Sequence, residues 1–186
     1  MNFKPYAQAT FLIPIAAGFT QPASGAETYL SLEQAQNVLL PQKTLSEVVL
    51  ALPEVTRALV AQESGVRWPK IQPRLWRSNE DDWFILDRVL GKHEDILYAM
   101  AIDKSGKVLG IEILEYRESY GDEVRDAKWR EQFVGKNSVE SIQFNQSIKN
   151  ISGATLSCRH LAEGAKRLLS LYQHMLKNYD PAKQNP

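Results

Sequence analysis

The stretch Asn150-Ile151-Ser152-Gly153-Ala154-Thr155-Leu156-Ser157 sets small residues and hydroxyls directly before a long amphipathic run. Gly153 and Ala154 let the backbone approach a ligand closely. The first N–H groups of a helix have no intrahelical partner, and the helix dipole favours an anion beside them. With hydroxyls from Ser152, Thr155 and Ser157, the turn reads as a seat for a phosphate. It reads equally as an ordinary Ser/Thr cap after a tight turn, and residue chemistry leaves the two readings side by side.

The elements that must carry this turn follow from periodicity. Leu161, Ala165, Leu168, Tyr172, Met175 and Tyr179 recur at helical spacing, predicting a long C-terminal amphipathic helix from about Leu156. At the other end, Ser31 and Gln34 have capping-box spacing for a helix that Pro41 stops. Thr44 is the expected cap of a second helical stretch through Leu45, Val48, Val49 and Leu52, with Val55–Gln62 continuing it to Ser64-Gly65. Strands are predicted at 73–78, 83–90, 96–102 and 107–118, and a fifth at 142–148. Asp103-Lys104-Ser105-Gly106 is a hairpin turn signal, and period two places Leu109, Ile111 and Ile113 on one face. A helix is predicted over 126–133, where Trp129 and Phe133 stand four apart. The expected fold is α+β: an antiparallel sheet of about four to five strands packed with helices. It would occupy residues 27–180 as one domain, helical over 27–65, with 181–186 as a tail.

Lys+Arg and Asp+Glu are both 22, so the electrostatic footprint of a nucleic-acid binder is missing. A single Cys excludes an intrachain disulfide and a CxxC site, and Cys158 is expected to be buried as a small hydrophobe. Residues 1–26 carry one charge, Lys4, then the apolar run Ala9–Phe19, then small residues with Ser24 and Ala26 in cleavage-site positions. That is the pattern of a secretory signal peptide, placing the mature chain in the periplasm or outside the cell. No apolar run approaches the ~20 residues of a membrane-spanning helix. His93-Glu94 lacks a second His at position 97, which is Leu97, so a zincin site is excluded; no metal site and no catalytic set is expected.

Ser152–Ser157, SGATLS, resembles the SGAT-x-S/T attachment motif of the FMN-binding domain family. That family includes the flavin-carrying subunits of the Rnf and sodium-translocating NADH:quinone oxidoreductase complexes, and small exported flavoproteins. The likeness runs through Gly91-Lys92-His93-Glu94, Gly110–Leu114, Glu118-Ser119-Tyr120-Gly121-Asp122-Glu123, Trp129, Phe133, Gly135 and Lys136, over roughly residues 83–172. The resemblance implies FMN joined through its phosphate to Thr155 by a flavin transferase that uses FAD. Ser152, Gly153, Ala154, Leu156 and Ser157 would line the phosphate. Glu118, Tyr120 and Gly121 would meet the isoalloxazine, and Lys136 the phosphate or a flavin oxygen. The implied partners are that transferase and a membrane reductase or other redox carrier. The implied role is electron transfer rather than turnover of a substrate. One position departs from the pattern: the family has Asp six residues before the acceptor Thr, and here Lys149 stands there. Covalent and noncovalent holding of FMN therefore both stay open. Two other readings use the same residues: an FMN-dependent reductase of small molecules, with Glu118, Tyr120 or His93 as proton donor, and a flavin-free partner-binding module.

Overall fold

The computed structural model describes residues 27–183; the expected signal peptide, residues 1–26, lies outside them, as do the last three residues of the tail. Six strands make one antiparallel sheet: β1 (Glu27–Thr28), β2 (Leu45–Val48), β3 (Arg74–Ser78), β4 (Trp83–Leu90), β5 (Asp95–Ile102) and β6 (Val108–Tyr116). Their spatial order is β1-β6-β5-β4-β3-β2. The central four are the meander read from the sequence, closed by short loops. Strand β5, Asp95–Ile102, is apolar at nearly every position because both of its faces are covered. Ile96, Tyr98, Met100 and Ile102 join the main core beneath α4 (Thr155–His174), whereas Leu97, Ala99 and Ala101 meet Ala35 and Leu40 on the opposite face. Helix α1 (Leu32–Leu39) closes that second face, and Ser31 and Gln34 form the expected capping box. Helix α2 (Glu54–Ser64) packs on α4 and ends at Gly65, whose φ of 69° is the left-handed turn that glycine permits.

Three sequence expectations are corrected. The stretch led by Thr44 is not a helix: Leu45–Val48 pairs with β3 from Leu45↔Ser78 to Val48↔Leu75. Pro53 stands at the N-cap of the next helix, so no helix runs through it, and the open edge of β3 supplies Leu45–Val48 with backbone partners. Instead of capping, Thr44 donates its amide to the Asn79 side-chain Oδ1 at 3.1 Å and accepts the Asn79 amide on its carbonyl at 3.0 Å. The fifth strand at 142–148 is a turn with a single Phe144↔Ile148 bridge. The Ser147 hydroxyl donates to the Ser141 carbonyl and accepts from the Gln143 amide, which curls the segment on itself. Leu109 does not share a face with Ile111 and Ile113: it is 40% exposed, and Val108 takes the inward place. A register shift at Ala101/Ile102, across from this end of β6, inserts the extra residue that reverses the alternation.

The helix predicted at 126–133 is shorter than expected: α3 (Ala127–Arg130), capped by Asp126, passes into a 3-10 turn at Glu131–Phe133. Trp129 and Phe133 still meet edge to face, their rings 5.3 Å apart, and both are buried. Helix α4 is tied to the sheet by a buried polar cluster. One Arg167 guanidinium nitrogen lies 2.5 Å from Asp87 Oδ2, and the Tyr98 hydroxyl donates to the same oxygen at 2.9 Å. Cys158 is buried and unpaired, with its thiol pKa raised by desolvation.

Candidate functional site

Helix α4 begins without a side-chain cap. Its N-cap is Ala154, which has no oxygen to offer, and the helix's opening bond runs from the Cys158 amide to the Ala154 carbonyl at 2.9 Å. The ordinary-cap reading of the Ser/Thr cluster therefore fails, and the amides of the first turn are left for an external acceptor. They border a cleft of about 520 Å³ lined by Gly153, Ala154, Thr155, Leu156 and Ser157 on one side, and by Glu118, Ser119 and Tyr120 on the other. Lys92 and His93 complete the lining. Gly153 has a φ of 92° with open space where a side chain would stand, so the backbone is bare at the mouth of the turn. The volume lies within the range of ordinary cofactor pockets.

Two hydroxyls and a glycine join the walls. The Tyr116 hydroxyl, at the end of β6, lies 2.7 Å from the Tyr120 carbonyl and 2.9 Å from Ser157 Oγ. A carbonyl only accepts, so Tyr116 donates to Tyr120, and Ser157 must give its own proton to Tyr116. Burial raises the Tyr116 pKa, with the Glu118, Asp122 and Glu123 charges adding to the rise, so the phenol keeps its proton. Gly121 sits over this junction with a φ of 95°; a Cβ there would lie 2.6 Å from the Tyr116 hydroxyl and 3.3 Å from Ala154 Cα. Gly121→Ala is accordingly expected to destabilise the fold by about 2 kcal/mol, from left-handed strain and displacement of Tyr116, measured as a lower urea midpoint.

Glu118 lies between the walls but is not a free acid. Its Oε1 accepts the amides of His93 and Glu94, the latter at 2.9 Å, and packs where a Gly91 side chain would be, 2.7 Å from a Cβ placed there. Desolvation pushes this carboxyl up, but the amides of Glu94, His93 and Lys92 outweigh it and hold the pKa below the usual carboxylate value. A depressed folded pKa contributes stability that is present above the unfolded value, about 4.3, and lost as pH falls through the folded value. Glu118→Gln should therefore cost about 1 kcal/mol at neutral pH, screened by partial exposure, and progressively less in acid; urea melts at pH 7 and in the low-pH range check it.

Thr155 is exposed, and its Oγ1 accepts from the Asn150 side-chain amide at 2.9 Å, leaving its own proton free. Tyr120 is 85% exposed at the mouth. Ser152, also exposed, stands at the turn but does not line the cleft. Lys136 is not brought to this place: its backbone pairs with Val108 at the far end of β6 from Tyr116. Lys149 is held by its backbone, its amide donating to Gln132 Oε1 at 2.8 Å and its carbonyl accepting from Trp129 Nε1 at 2.7 Å. It lines a separate groove with Glu123, Asp126 and Trp129, so no lysine cation lines the cleft from that position. Tyr116 and the orienting role of Asn150 were not read from the sequence. Asn150 stood within the motif, but Tyr116 faces the core only because of a second register shift at Leu97/Tyr98.

Residues 91–170 match the FMN-binding domain family. No curated protein sequence matches the chain. Among solved structures, one component of the Na(+)-translocating NADH-quinone reductase from Parabacteroides distasonis superposes with a TM-score of 0.50 and 15% identity, over 80% of this chain and 83% of that one. At that identity the likeness is one of fold.

Proposed function

Because the chain carries, over residues 91–170, a domain that belongs to the FMN-binding domain family, we propose that it is an exported electron-transfer protein holding FMN by its phosphate at the start of α4. The observation that carries this reading is the uncapped first turn of α4 opening onto the cleft beside the Glu118–Gly121 loop. The donor set fits a phosphate monoester: backbone amides at a helix start, an exposed threonine hydroxyl and a bare glycine, with no carboxylate from α4 to repel it. Bound FMN supplies one- and two-electron redox chemistry.

The chain's own residues do the rest. The first amides of α4 would hold the phosphate, and Ser119 and Tyr120 line the facing wall that would receive the ring. Tyr116 and Gly121 hold that wall against α4. Glu118 keeps the Gly91–Glu94 hairpin in place and, being ionised and occupied by amides, does not serve as a proton donor. Thr155 Oγ1, exposed at the start of α4 with its own proton free, would be the anchor for the FMN phosphate, with AMP the leaving group when a transferase supplies FAD and takes the hydroxyl proton. A tether of this kind keeps flavin at the ~mM local concentration of a short linkage. Export rests on the pattern of residues 1–26. A membrane reductase as electron donor is suggested by the fold shared with a component of such a complex. The test is a titration of purified flavin-free protein with FMN and with riboflavin. FMN should bind at least about tenfold more tightly, because only it carries the phosphate. Equal binding, or none of either, would overturn the assignment.

A further inference from the structure

We propose that the Val66–Ile71 loop and two clefts flanking it form a second anion site, apart from the cofactor cleft, that seats the phosphate headgroups of an anionic bilayer. The sequence is unusual here: between Glu63 and Glu80 stand Arg67, Lys70, Arg74 and Arg77 and no acid. Arg74 and Arg77 are spoken for, the first by Glu47 and the Trp76 ring, the second by Asp81 and the Tyr179 ring. Arg67 and Lys70 make no ion pair among the described residues.

Pro69 lines both clefts. The first, about 460 Å³, gathers Arg57, Arg67, Trp68 and Lys70 around a single carboxylate, Glu54. The second, about 230 Å³, holds Arg88, His160 and Arg167 with Glu163. Buried N–H donors around this loop lack acceptors: Arg57 Nε and Trp68 Nε1 beside the first cleft, and Arg167 Nε beside the second. Arg167 is only 4% exposed and already neutralised by Asp87, so a donor left over there is costly unless an acceptor arrives. The exposed Arg67 and Lys70, with Arg57 and Trp68 in the same cleft, offer an oxyanion several charge-assisted donors. With Arg167 set against Asp87, the loop faces its ligand with Arg57, Arg67, Lys70 and Arg88 against Glu54 and Glu163, a cationic excess in a chain of zero formal net charge.

A bilayer fits better than a free ion because the loop also carries an apolar tip. Ile71, next to Lys70, is 61% exposed, and Trp68 is half-buried at the base. An apolar tip ringed by cations and an indole is the arrangement that rests at a headgroup boundary. The location adds a consequence. Leu90 lines the second cleft, His160 bonds the Leu90 and Gly91 carbonyls, and Lys92 and His93 of the same hairpin line the cofactor cleft. Seating this face on a membrane would hold the cofactor cleft close to it.

The experiment is co-sedimentation of the full chain with phosphatidylglycerol/phosphatidylcholine vesicles against phosphatidylcholine alone, at low and high salt. The parent is compared with Arg67→Glu/Lys70→Glu and, separately, with Ile71→Ser, all exposed positions whose folding is checked by thermal melt. The parent should bind the anionic vesicles, less so in salt. Removing two cations should weaken binding by at least about 25-fold, at about fivefold each. Ile71→Ser should weaken it less, without changing the salt dependence. Equal binding to neutral vesicles, an unaffected charge-reversed variant, or no vesicle binding alongside saturation by millimolar inorganic phosphate would each overturn the proposal.

Discussion

Thr155→Val is expected to give a folded protein that gains no covalent flavin when co-expressed with a flavin transferase, while the wild type gains the mass of one FMN less water. Thr155 is exposed at the first position of α4 and its side chain bonds to Asn150, so the isosteric valine should cost well under about 1 kcal/mol of stability. The loss would be chemical: no other hydroxyl combines exposure with a place in the cleft at the start of α4. Ser152 lies outside the lining, and Ser157 is buried with its proton committed to Tyr116. Thr155→Ser should retain attachment at a reduced rate. Intact-mass spectrometry decides it. Addition to the valine variant would move the anchor elsewhere. A wild type that binds FMN but never gains the mass would assign the difference to Lys149, whose backbone is clamped by Trp129 and Gln132 and whose charge lines the neighbouring groove.

Arg167→Met is expected to destabilise the fold by about 3–5 kcal/mol, the cost of leaving a buried carboxylate without its cation. Asp87 is 3% exposed, and one of its oxygens already has no partner. Tyr98 would remain as its lone donor, and one hydroxyl does not compensate a buried charge. Adding Asp87→Leu should recover most of the loss, less the cost of the stranded Tyr98 hydroxyl, about 1–3 kcal/mol. Urea denaturation of the parent, single and double variants measures it. An additive double variant would show that the pair contributes through packing alone.

The meander, both outer helices and the SGAT turn are legible because each carries a local signal: period two bounded by turn residues such as Asp103–Gly106, period 3.6 in both helices with a capping box at α1, and small residues before an apolar helix. What was not legible is non-local. Leu45–Val48 became a strand because β3 had a free edge, which no window around those residues contains. Leu109 and Tyr116 changed faces because two register shifts disturb the pairing of β5 with β6, and a bulge leaves no fixed residue signature. The same cause hid half of the site. Ser157 was read as a donor to the ligand, whereas Tyr116, turned inward by a bulge, takes its proton. Lys136 is implied as a cofactor partner by the family resemblance, but the chain folds that turn back onto Val108.

The uncapped start of α4 has one more implication. A receptor made of main-chain dipoles is indifferent to spelling and sensitive to phase. Exchanging Ser152 for another small residue alters little that an incoming oxyanion would feel. One residue added between Asn150 and Ala154 would displace Thr155 and the bare amides relative to the facing Glu118–Tyr120 wall. Divergent copies of this chain should therefore vary in the letters of that turn and hold its length constant.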